Sequence, residues 1–201
     1  MSLIKRICVY CGSNPGHDPR FVAAARQFGE TLAGRKIRLV YGGGSTGLMG
    51  AIAHSVHEHG GEITGVIPEF LKVEERMFAA ADEIIVTADM HERKRTMFER
   101  ADAFVALPGG IGTLEETIEQ LTWAQLGRHK KPVLIANIAG FWDPLIAMFE
   151  HLREGGMLPE GRSVGYLVAT RVDDILPTLF AAAARVTGIE QEGEAERVRR
   201  M

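Results

Sequence analysis

The chain has 201 residues, 46% apolar and 24% charged, which is enough for one continuous core and places it among single globular domains. A net charge of −3 supplies no basic field to hold a nucleic-acid polymer, whereas a mononucleotide needs only a local patch. No apolar run approaches the ~20 residues of a spanning helix, and Met1 to Arg6 lead into a strand rather than a signal-peptide core, so a cytoplasmic protein without a membrane partner is expected.

In chain order, Ile4 to Cys11 reads as a strand, Gly12-Ser13-Asn14-Pro15-Gly16 as a turn, and a helix follows that Asp18 caps and Gly34 ends. Cys8 and Cys11 have C-x-x-C spacing, but within a strand residues three apart face opposite sides, so buried thiols are expected rather than a metal or redox pair. Ile37 to Tyr41 forms the second strand, and Gly42-Gly43-Gly44-Ser45-Thr46-Gly47 turns it into a helix through about His59. Glu62 to Pro68 is the third strand. The stretch from Glu69 to Ala81 lacks clean periodicity and reads as a loop with a short helix lying over a site.

Glu83 to Thr87 is the fourth strand, Met90 to Arg100 a helix, and Ala103 to Leu107 a buried fifth strand. Pro108-Gly109-Gly110-Ile111-Gly112 turns that strand into a long helix ending near Leu126, with Thr113-x-x-Glu116 in capping-box spacing, Thr113 as N-cap and Glu116 three residues in. Pro132 to Ala136, a helix from Asp143 to about Glu154, Val164 to Ala169 and a last helix from Asp173 complete the pattern. Strict alternation predicts an α/β fold: a Rossmann-like, doubly wound parallel sheet of about seven strands, helices on both faces, and ligands at the carboxyl ends of the strands. One domain is expected over residues 1–188. The charged tail 189–201 lacks core residues and is expected to be disordered.

The chemistry concentrates at two glycine-rich strand-to-helix turns. Uncovered amides and the positive helix end suit an anion, most often phosphate. Gly42-x-Gly44-x-x-Gly47 matches the dinucleotide fingerprint, with Glu69 near the position of a ribose-binding acid, but it sits on the second βα unit rather than the first. No Lys-Ser or Lys-Thr follows the glycines, which removes a Walker A reading. His54, His57 and His59 make no metal signature, and no metal is expected. Arg93, Met97 and Arg100 share a helix face, and the planar fork of Arg93 suits phosphate or a ribose oxygen. Glu116 is the carboxylate best placed to act, ionised, on water or on a developing positive charge.

The run Pro108-Gly109-Gly110-Ile111-Gly112-Thr113-Leu114-Glu115-Glu116 resembles the PGGxGTxxE signature of the LOG (lonely guy) family of cytokinin riboside 5'-monophosphate phosphoribohydrolases. The likeness continues in Cys11-Gly12-Ser13, in Tyr41 to Gly50, in Met90-His91-Glu92-Arg93-Lys94 and in Leu121 to Gly127. It implies a homodimer that hydrolyses the N-glycosidic bond of an adenosine-type 5'-monophosphate, a small-molecule partner, with no cofactor. It implies Arg93 and Glu116 as the catalytic pair and substrate contacts at Lys94, Gly110, Gly112, Thr113 and Thr122, with Glu75 at a matching position. Gly109, Ile111 and Glu115, with Ser13 and Gly43 from the other glycine-rich turns, join the candidate substrate site.

Two departures bear on substrate choice. Leu71-Lys72-Val73-Glu74-Glu75-Arg76 replaces the family's usual Leu-Met-Pro-Arg-Glu loop, and Ile111 stands where an aromatic is common, which sets plain AMP beside a prenylated nucleotide. Trp123 and Leu126 offer a face for the dimer. Two other readings share these residues. A pyridoxal phosphate decarboxylase needs a cofactor lysine, which none of the six lysines resembles; a nucleotide-binding protein akin to molybdenum-cofactor carriers binds without releasing base, and Glu116 is then only a cap.

Overall fold

The computed structural model describes residues 4–74, 76–158 and 164–186; the tail 189–201 and Glu75 lie outside them. Seven strands form one parallel sheet: β1 (Arg6–Tyr10), β2 (Arg38–Tyr41), β3 (Ile63–Pro68), β4 (Glu83–Thr87), β5 (Ala103–Ala106), β6 (Val133–Ala136) and β7 (Leu167–Ala169). Their spatial order is β4-β3-β2-β1-β5-β6-β7. The order reverses at β1, which pairs with β2 on one side and with β5 on the other, so that Ile7 stands between Leu39 and Ala103. Such a reversal leaves a crevice at the strands' carboxyl ends.

The helices are α1 (Pro19–Gly34), α2 (Gly47–Glu58), α3 (Met90–Arg100), α4 (Ile111–Gln125) and α5 (Asp143–Glu154), and residues 175–186 form α6. Period-two alternation of β1 sends Ile7 and Val9 into one apolar layer and Cys8 and Tyr10 into the other. The first layer takes Phe28 and Leu32 of α1, Ile52 and Val56 of α2 and Leu179 of α6; the second takes Met97 of α3, Leu121 of α4 and Phe149 of α5. Phe28, Leu32, Ile52 and Val56 are fully buried, each contributing about 1.5–3 kcal/mol. Cys8 and Cys11 are both buried thiols, on opposite layers as the strand period predicts. Among the described residues, no helix is long and apolar enough to cross a membrane.

The helix after β1 starts and stops where Asp18 and Gly34 place it, and Asp18 Oδ1 accepts the Arg20 amide at 2.9 Å. Three expectations need correction. The capping box at Thr113 does not form: Gly110 is the N-cap, Ile111 opens α4, and Thr113 lies inside the first turn, so Glu116 sits one turn deeper than a third helical residue. An extended Gly110 lets the helix begin earlier than a threonine cap would. The seventh strand is only Leu167–Ala169, and the last helix opens as a 3-10 turn, Val172–Asp174, before α6.

Candidate active site

The loops after β1 and β5 are tied together at the reversal. The Gly12 amide donates to Pro108 O at 3.1 Å, and the Leu48 and Met49 amides at the start of α2 donate to Gly12 O at 2.9 and 3.3 Å. Above this brace lies a cavity of about 400 Å³. One wall is apolar, from Val9, Met49, Leu71, Met90 and Met97; the other is polar, from Ser13, Asn14, Arg93, Gly112, Thr113 and Glu116.

The polar wall includes the start of α4. Its N-cap has no side-chain hydrogen bond, and the first intrahelical bond runs from the Leu114 amide to Gly110 O at 3.0 Å. The amides of Ile111, Gly112 and Thr113 therefore have no acceptor within the helix. A Cβ added at Gly110 or Gly112 would meet nothing within 4 Å, and residues 110–113 all line the cavity. Glu116 is half-buried and lies three residues after Thr113 and four after Gly112, on their face of the helix.

The second glycine-rich turn is built differently: protein atoms fill it. A Cβ at Gly47, whose φ is +59°, would fall 2.3 Å from the Ser13 carbonyl carbon, and one at Gly50 would fall 2.1 Å from Ser45 O. One at Gly42 would fall 2.1 Å from Nη2 of Arg93. Of the fingerprint glycines, Gly47 serves close backbone packing and Gly42 abuts the Arg93 guanidinium, and the open anion seat belongs to the turn after β5.

Arg93 is 5% exposed, projecting from the first turn of α3. Asp89 caps that helix by accepting the Glu92 amide at 2.8 Å. Nη2 of Arg93 donates to Gly42 O at 3.1 Å, and Nη1 lies 3.7 Å from Met90 Sδ. Arg93 and Glu116 thus come from different helices and line one cavity. Beneath them Tyr10 and Cys8 occupy the same face of β1. Burial, followed by the nearby negative charges, pushes both pKa values well above their ordinary ranges, so phenol and thiol stay neutral at pH 7.

The remaining candidates divide. Ser13, Gly110, Ile111, Gly112, Thr113 and Glu115 line the cavity. Lys94 points instead to α4, 2.5 Å from Glu115 and 2.9 Å from Glu119. Burial alone lowers its pKa, but the two carboxylates outweigh that and raise it. Gly109 faces the smaller neighbouring cavity beside Phe21 and Phe141. Gly43, with φ +81°, packs against Ile67 of β3. Thr122 turns its hydroxyl back to Ile118 O at 2.7 Å. Glu75 lies outside the described residues. Glu69 stays exposed, paired with Lys72 at 3.1 Å, and Arg100 pairs with Glu83 at the far end of α3. Sequence reasoning missed the apolar wall: Met90 lies three residues before Arg93 and Met97 four after, a helical face that was legible, whereas Met49 and Leu71 arrive from other elements and left no local signal.

A doubly wound parallel sheet with a charged cavity at its reversal, beside an open helix N-terminus, defines a Rossmann-like nucleotide-site protein of the α/β class. The family model described as "Possible lysine decarboxylase" matches residues 49–179. A probable cytokinin riboside 5'-monophosphate phosphoribohydrolase of Oryza sativa subsp. japonica is 42% identical over 195 residues, covering 97% of this chain and 85% of its own. A cytokinin riboside 5'-monophosphate phosphoribohydrolase of Arabidopsis thaliana is 48% identical over 164 residues, covering 81% and 76%. Among solved structures, a molybdenum-cofactor carrier protein of Chlamydomonas reinhardtii shares the fold, with a TM-score of 0.68 and 23% identity over 90% of this chain and 98% of that one. The chain belongs to the LOG family of phosphoribohydrolases. The decarboxylase description does not fit the site. No lysine is among the described residues lining the cavity, Lys94 is held by two carboxylates, and Lys131 Nζ donates to Phe98 O at 2.7 Å.

Proposed function

We propose that this chain hydrolyses the N-glycosidic bond of a nucleoside 5'-monophosphate, a cytokinin riboside monophosphate or AMP, releasing free base and ribose 5-phosphate. The observation that carries the reading is the meeting of Arg93 and Glu116 in one cavity, beside the uncovered amides of residues 111–113. The 5'-phosphate takes the N-terminus of α4, where amides and helix dipole favour a dianion. That anchorage sets the ribose against Glu116, one turn along the same helix.

Cleavage of the C1'–N bond develops positive charge on the ribose, and a carboxylate beside C1' steadies it. Glu116 also orients the water whose oxygen bonds to C1'; the water's proton ends on the departing base. The Arg93 fork, projecting from α3, holds ribose or phosphate oxygens. The base then lies toward Val9, Met49, Leu71, Met90 and Met97, an apolar wall that accepts either plain adenine or an alkylated one. The chain works as a cytoplasmic homodimer, with Trp123 and the 67% exposed Leu126 of the α4 end in the contact.

The test is base release from AMP and from isopentenyladenosine monophosphate by purified protein, with ribose 5-phosphate measured in parallel. Stoichiometric release of both products supports the reading. Saturable nucleotide binding with no base released overturns it in favour of a carrier.

A further inference from the structure

The second glycine-rich turn is absorbed neither by the phosphate seat nor by the hydrolytic chemistry, yet one of its members touches the site. From the geometry we infer that Gly42 is a positioning residue: its carbonyl and its bare Cα form the socket in which the Arg93 guanidinium is seated. The inference rests on the reading of Arg93 as a catalytic residue and adds to it the element that aims that residue.

Three observations converge. Nη2 of Arg93 donates to Gly42 O at 3.1 Å across 51 residues of sequence. The Cα hydrogen side of Gly42 is the surface against which the guanidinium lies, since a Cβ there would fall 2.1 Å from Nη2 and 3.3 Å from Cζ. Between those two in distance lies Met49 Sδ at 3.0 Å, the far end of a flexible side chain, which can move aside. An added methyl group therefore displaces the arginine rather than the backbone. Arg93 is 5% exposed, so a displaced guanidinium leaves a seat that is closed to water and loses the Gly42 carbonyl. The glycine at 42 is required by the neighbour it seats and not by a positive φ, which distinguishes it from Gly43 and Gly47.

The experiment compares Gly42→Ala, Arg93→Ala and the double variant, using AMP as substrate and guanidinium chloride at sub-denaturing concentration as a chemical stand-in for the lost side chain. Gly42→Ala is expected to lower kcat about 100-fold while KM for AMP moves less than about threefold, because an arginine out of register fails chiefly in the transition state. The double variant is expected to be no slower than Arg93→Ala alone, the two changes removing one interaction. Guanidinium is expected to raise the rate of Arg93→Ala about fivefold or more and to leave the double variant unchanged, since the Cβ fills the socket.

Full activity in Gly42→Ala, a loss that adds to that of Arg93→Ala, or equal rescue of both backgrounds overturns the inference. If Gly42→Ala does not fold, the rescue comparison decides alone, because removal of the guanidinium makes room for the methyl group. Full activity in Arg93→Ala would instead strike the catalytic assignment itself, and that single variant reports on it independently.

Discussion

Nζ of Lys94 lies 2.9 Å from Oε1 of Glu119, joining α3 to α4 one residue beyond Arg93 on the first helix and three beyond Glu116 on the second. With the contact to Glu115, this makes a clamp between the two helices that carry Arg93 and Glu116. Only 12% of the Lys94 side chain is exposed, and Oε2 of Glu119 is buried without a hydrogen-bond partner, so the cation compensates a carboxylate with one oxygen shut off from water. Replacing Lys94 by Met leaves that charge uncovered and is expected to cost about 2 kcal/mol. Lys94→Arg keeps the charge and most of the stability. Denaturant unfolding of both variants checks this, and equal stability of Lys94→Met and the parent would refute the clamp.

Glu116→Gln preserves shape and removes charge. We expect kcat for base release to fall about 10³-fold while the melting temperature stays within a few degrees, since the group is half-buried and acts on charge developed in the transition state. Single-turnover release of adenine is the measurement; a loss below about tenfold would exclude the carboxylate from the chemical step.

The two glycine turns give opposite expectations. Gly112→Ala adds a methyl group to open space, so the fold persists while access to the first-turn amides narrows; the Kd for AMP rises about tenfold at unchanged stability. Gly47→Ala forces an L residue to φ +59° and a Cβ to 2.3 Å from the Ser13 backbone, and is expected to cost more than about 3 kcal/mol. Calorimetric titration and thermal unfolding of the pair separate ligand contact from packing, and the reverse assignment of effects would move the phosphate seat to β2.

Acid sensitivity is expected from His129. Its Nε2–H donates to Gln120 O at 3.1 Å, and its Nδ1 accepts the Lys131 amide at 3.1 Å, which needs a neutral ring. Burial, reinforced by the Lys131 charge, lowers its pKa below the usual 6.5. The folded protein thus binds fewer protons than the unfolded chain, so the stabilisation is complete above about pH 6.5 and is lost as pH falls toward the folded value. Melting temperature between about pH 7.5 and 5.5 should fall in the parent and fall less in His129→Gln. Parallel profiles would remove His129 as the source.

The strands and helices were largely legible because each carries its own period: β1 alternates between two apolar layers, and Arg93 shares a helix face with Met97. Thr113 misled because its spacing to Glu116 satisfies a capping box, while an extended glycine three residues earlier offered an alternative start for the helix. Lys94 and Thr122 were assigned by motif, and neither lines the cavity; which way a side chain turns on a helix depends on neighbours from other elements, here Glu119 for the lysine, or on its own helix backbone, here Ile118 O for the threonine. The same non-local dependence hid Leu71 and Met49.

Ile7 of β1 stands opposite Ala103 of β5, so β1 gains its second neighbour almost a hundred residues later in synthesis. A nascent chain that has completed only β1 to β4 presents one side of β1 as a bare, adhesive edge. Pairing across so long a loop is slow to nucleate. Translation stalled or terminated before β5 would therefore yield a sticky product with no pocket, rather than a smaller working enzyme, and such products are natural clients for chaperones.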